Sequence, residues 1–154
     1  MIGDEPAAGT RVVPSRVAWL FDAGLAAFAA STGALLAFAY VQGDTLAPFA
    51  LVGRRVARDI VFSTGGDAAI GLAVHFGQSI ALGAAMALLL GAERISSRVR
   101  SALIVVLCWQ LVAFVPWIAV VRADIAIGLT PLPRVGLAAL LTAALALAPR
   151  RMRI

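Results

Sequence analysis

A single histidine, His75, sits inside an apolar run that covers residues 68–90. An ionisable side chain at that depth in a hydrophobic segment is costly, so a functional role is the first expectation for it. An imidazole there can take up a proton or serve as an axial ligand to a haem or chlorin. Two features weigh against a ligand role. No second histidine is available for a bis-histidine haem within the chain, and no carboxylate or cysteine stands at metal-ligand spacing from it. The competing expectation is a neutral ring hydrogen-bonded to a backbone carbonyl or to a hydroxyl such as Ser31 or Thr32. Two more polar side chains lie within apolar runs: Asp22 beside Trp19, and Gln110 next to Trp109. Asp22 is close enough to the start of its run to pair with Arg16 or with an arginine of the middle loop, and a proton-coupling role is the alternative. Gln110 reads as interhelical amide glue.

The surroundings of His75 carry a second pattern. Gly71, His75, Ser79, Gly83, Ala87 and Gly91 follow one another at four-residue spacing, which puts them on one helix face. Small residues let helix backbones approach closely in lipid, so this face is expected to point into a bundle or at a partner helix. Arg54, Arg55 and Arg58 form a basic cluster suited to lipid headgroups or an acidic partner. A solvated helix face explains the same three residues. Cys108 is the only cysteine, so no disulfide forms within the chain, and it reads as a small buried apolar residue.

These groups need elements to hold them, and hydropathy supplies those elements. Of the 154 residues, 62% are hydrophobic, against about 45–50% in ordinary soluble domains. The mean hydropathy is +0.96. The expected fold is an all-α membrane bundle of four transmembrane helices, with spans at about 17–41, 68–90, 101–121 and 132–148. A polar tail, 1–15, precedes this single domain of 16–149, and a basic tail, 150–154, closes the chain. Between the first two spans, residues 48–63 place Phe49, Val52, Val56 and Ile60 on one side and the three arginines on the other. That pattern predicts an amphipathic helix lying in the membrane interface. Gly65-Gly66 is expected to end it, and Asp67 to cap the next helix. Residues 122–134 read as a polar loop, and Pro116-Trp117 as a kink with an interfacial anchor.

Charge gives the orientation. All 13 basic residues are arginine. Arg11, Arg16, Arg94, Arg98, Arg100, Arg150, Arg151 and Arg153 fall on one side of the four spans. Arg54, Arg55, Arg58, Arg122 and Arg134 fall on the other. Eight against five places both termini in the cytoplasm. The net charge of +5 is not a nucleic-acid footprint, because aromatic stacking platforms and a basic groove are missing. The stretch Pro48–Gly91, with its Arg-Arg-Val-Ala-Arg segment, Gly65-Gly66-Asp67, Gly71-Leu72 and His75-Phe76, resembles a group of uncharacterised bacterial four-helix inner-membrane proteins. That resemblance covers about a third of the chain. It implies a shared fold with His75 on the bundle side and brings no activity.

Catalytic signatures are missing from the sequence: a nucleophile elbow, a phosphate loop, paired cysteines and a second histidine. The leading expectation is therefore a non-enzymatic accessory or structural subunit, packed against partner helices and lipid in a larger membrane complex. A respiratory or photosynthetic assembly, with His75 facing a pigment, is a sharper form of it. The alternatives are an oligomeric transporter with His75, Asp22 and Gln110 along a polar path, and a haem-, chlorin- or quinone-binding redox subunit.

Overall fold

The computed structural model describes residues 16–58, 60, 63–89, 95–112 and 122–148. Among the described residues six helices follow one another: α1 (Arg16–Val41), α2 (Ala47–Ala57), α3 (Thr64–Leu89), α4 (Ile95–Val112), α5 (Ala123–Ala126) and α6 (Pro131–Leu147). No strand occurs among the described residues. Three of the helices, α1, α3 and α4, are long and apolar enough to cross a membrane. The fourth apolar helix, α6, has 17 residues. At 1.5 Å per residue it spans about 25 Å, a little under a hydrocarbon core of roughly 30 Å.

The register between α1 and α3 comes from their small residues. Ser31 meets His75, Gly24 meets Ile80, and Leu20 meets Gly83. Residue numbers rise on one helix as they fall on the other, so the two are antiparallel. Gly83 is the closest point. A Cβ there would lie 2.9 Å from the Gly24 Cα, so only glycine permits the approach. Ser79, Gly83 and Ala87 are buried, and the small-residue face points into the bundle. Gly91 lies outside the described residues.

Helix α2 forms where an amphipathic helix is expected, but it is shorter and does not lie alone. It runs antiparallel along the first half of α3. A Cβ on Gly53 would strike the Asp67 carbonyl, and one on Gly71 would strike the Phe49 carbonyl. Pro48, Phe49, Ala50 and Val52 are buried, while Arg54, Arg55 and Arg58 face out. The two glycines let this short helix seat its backbone directly on its neighbour. Arg58 ends α2 with φ at +40°, a region that side-chain-bearing residues seldom occupy.

Helix α3 starts earlier than its sequence suggests. The Gly66 amide donates to Ser63 Oγ at 3.3 Å, which makes Ser63 the cap. Gly65 and Gly66 belong to the first turn of α3 instead of ending α2, and Asp67 sits within that turn. Its carboxylate accepts from Arg54 Nε at 2.9 Å instead of capping the helix. Helix α4 likewise begins at Ile95, before the expected span. Residues 113–121, with Pro116 and Trp117, lie outside the described residues. Helix α6 returns along α1, with Leu137 and Leu141 beside Ser31 and Leu35.

Candidate functional site

The polar groups of the interior gather at mid-height between α1, α3, α4 and the segment that follows α4. His75 lies about 16 Å along α3 from Thr64, and Ser31 about 15 Å along α1 from Val41. Their side chains meet, with His75 Nε2 2.9 Å from Ser31 Oγ. The Ser31 hydroxyl also lies 2.7 Å from the Ala27 carbonyl, one turn back on its own helix. A serine has one proton to donate. With that proton on Ala27, Ser31 accepts from His75 Nε2–H, and Nδ1 is left as the bare acceptor. Nδ1 is buried with no hydrogen-bond partner among the described residues. The ring packs against Phe28, centroids 5.8 Å apart, and against Phe49 at 5.5 Å.

The second half of the cluster comes from the segment expected to be a polar loop. Arg122 and Asp124 are buried, with 2% and 7% of their side chains exposed. They form a two-pronged ion pair: Arg122 Nε donates to Asp124 Oδ1 at 3.0 Å, and Nη2 to Oδ2 at 2.7 Å. Arg122 Nη1 donates to the Trp109 carbonyl at 3.0 Å, and Nη2 also reaches Gln110 Oε1 at 2.9 Å. The guanidinium lies over the Trp109 ring, 5.3 Å from its centroid. Arg122 and Asp124 therefore lie inside the bundle, beside Trp109 and Gln110 of α4. A solvated loop is corrected to a buried staple, because one arginine answers an acid, an amide and a carbonyl at once.

His75, Ser31, Gln78, Arg122 and Asp124 border a cavity of about 20 Å³. That volume holds about one water. It is too small for a macrocycle or a transported solute. At His75, Nε2 is engaged by Ser31 and the ring packs between Phe28 and Phe49, so Nδ1 is the nitrogen without a partner among the described residues. Gln110 joins this cluster through Arg122. Asp22 does not. It lies nine residues from Ser31, about 13 Å along the helix, half-buried toward the other end of α1. His75 and Asp22 therefore lie at different heights of the bundle. Arg54 is engaged with Asp67, while Arg55 and Arg58 are exposed at the end of the bundle that carries α2. Cys108 is exposed instead of buried, because it shares the outward face of α4 with Ile104 and Leu111. No group of three or more metal-ligating side chains occurs among the described residues.

A wider concavity lies on the outside. A groove of about 810 Å³ runs between α4 and α6, bordered by Leu103, Leu107, Val135, Ala139 and Ala143 along its length. Gln110, Arg134 and Thr142 are its polar members. Thr142 is spent on the Ala138 carbonyl at 2.9 Å. The sequence reading missed this groove, because its lining is split between two helices whose contact no local pattern encodes. No family model, curated protein or solved structure matches the chain.

Proposed function

We propose that the chain is a non-enzymatic integral membrane protein of the accessory kind, which works by holding a hydrophobic partner along the α4–α6 groove. In this reading α1, α3, α4 and α6 cross the bilayer. Both termini face the cytoplasm of a bacterial cell, in line with the arginine count. One contrast carries the proposal: the interior is closed around a cavity of about 20 Å³, whereas the outer groove offers about 810 Å³. Small-molecule and cofactor sites occupy about 300–1,000 Å³ and are lined mainly by apolar side chains. The interior polar groups answer one another and act as a staple.

The small-residue face of α3 is used up within the bundle by α1 and α2, so an outside partner has to be met elsewhere. The test is purification in a mild detergent. The chain is expected to retain a hydrophobic companion that is lost on Ala143→Trp, which fills the groove. A bare monomer that behaves identically with and without that substitution contradicts the proposal.

A further inference from the structure

The groove has a chemical direction that its volume alone does not reveal. On α4 it extends from Val99 to Gln110, and on α6 from Pro131 to Leu147. Helix α6 is antiparallel to α1, α1 to α3, and α3 to the helix that follows it, so α4 and α6 run in opposite directions. Arg134 therefore lies at the end of the groove nearer α2, and Leu147 lies at the other. The stretch between them is 13 residues of helix, about 20 Å. One leaflet of hydrocarbon is roughly 15 Å deep. Between these ends the lining is leucine, valine and alanine, with Thr142 already bonded to its own helix.

Arg134 is the sole charge in the lining. Neither α4 nor α6 contains an acidic residue. The acid closest in sequence, Asp124, is held by Arg122 through both of its oxygens. Arg134 is half-buried, and its Nε is buried with no hydrogen-bond partner among the described residues. A guanidinium donor in that state, one turn from the start of α6 and at the head of an apolar trough, calls for an anion attached to a hydrocarbon chain.

We propose that the α4–α6 groove binds one membrane lipid with an anionic headgroup, its phosphate or carboxylate on Arg134 and its acyl chain laid along α6 toward Leu147. This rests on the reading that the groove holds a hydrophobic partner, and it names that partner's chemistry. The charge distinguishes the occupant. A zwitterionic lipid also offers a phosphate but cancels its charge with an ammonium, and a wholly apolar partner helix leaves the arginine unanswered.

The experiment uses the full chain reconstituted with equimolar phosphatidylglycerol and phosphatidylcholine, followed by native mass spectrometry from mild detergent. Oleate in place of phosphatidylglycerol separates a carboxylate source from a phosphate source. One retained anionic lipid per chain is expected, in preference to phosphatidylcholine. Arg134→Gln is expected to lower that preference about fivefold, what one basic residue near a membrane surface contributes. Arg134→Lys keeps the charge and most of the preference, which controls for folding. Ala143→Trp lowers retention of all lipids together. Equal retention of both phospholipids, sensitive to Ala143→Trp but not to Arg134→Gln, overturns the anionic-lipid inference and leaves the groove reading standing. A protein helix retained there instead does the same. Retention that no substitution in the groove alters overturns both.

Discussion

Removing the Asp124 carboxylate is the sharpest perturbation of the interior. Arg122 and Asp124 are 2% and 7% exposed, and two of the guanidinium's four hydrogen bonds end on this acid. Asp124→Ala leaves a buried cation with only the Trp109 carbonyl and Gln110 Oε1 to answer it. Breaking a buried pair from one side costs about 3–5 kcal/mol. A domain's whole stability is about 5–15 kcal/mol. The single variant therefore loses about a fifth or more of what holds it folded. Replacing both partners with apolar side chains, Arg122→Met with Asp124→Leu, removes the stranded charge and is expected to recover most of that loss. The assay is equilibrium unfolding in mixed micelles, followed by far-ultraviolet circular dichroism, on wild type, both single variants and the double. A loss below about 1 kcal/mol for Asp124→Ala would show that the pair is hydrated and outside the core. A double variant as damaged as the single would show that shape, not charge, is what the site requires.

Four further outcomes follow from the same contacts. Gly71→Leu drives a side chain into the Phe49 carbonyl and is expected to destabilise by at least the roughly 1–3 kcal/mol typical of overpacking, read in the same unfolding assay. Gly77→Ala, with open space around it, carries the opposite sign and gains up to about 1 kcal/mol of helix propensity. Ser31→Ala strands the His75 Nε2–H and costs about 1–3 kcal/mol, whereas a cost near zero would mean that the ring has another acceptor. Arg54→Ala removes the partner of Asp67, whose side chain is only 6% exposed, so it strands a buried carboxylate and costs about 1–3 kcal/mol in the same assay, whereas a cost near zero would mean that water answers the acid.

Hydropathy carried most of the fold. Apolar runs at 17–41, 68–90 and 132–148 each became a helix within a few residues of those bounds, because a long apolar stretch has few other ways to satisfy its backbone. The face at Gly71, Ser79, Gly83 and Ala87 was legible too, since four-residue spacing is a property of one helix. So was the Ser31 hydroxyl as an acceptor for His75. What stayed hidden depended on contacts between distant segments. Arg122 and Asp124 are two charged residues between apolar runs, and such a pair reads as a loop. Only their place beside Trp109 and Gln110 buries them. The cap shifted from Asp67 to Ser63 because Asp67 has a stronger partner in Arg54, 13 residues away. The α4–α6 groove likewise exists only once two helices are placed side by side.

The most direct measurement is site-specific photo-crosslinking in native membranes. A benzophenone side chain is placed at Ala139, in the groove, and in a parallel variant at Leu25, on the exposed face of α1. If the groove holds a dedicated hydrophobic partner, position 139 gives one discrete adduct in high yield, and position 25 gives the diffuse background of bulk lipid. Indistinguishable diffuse labelling at both positions would contradict the groove as the working surface of this protein.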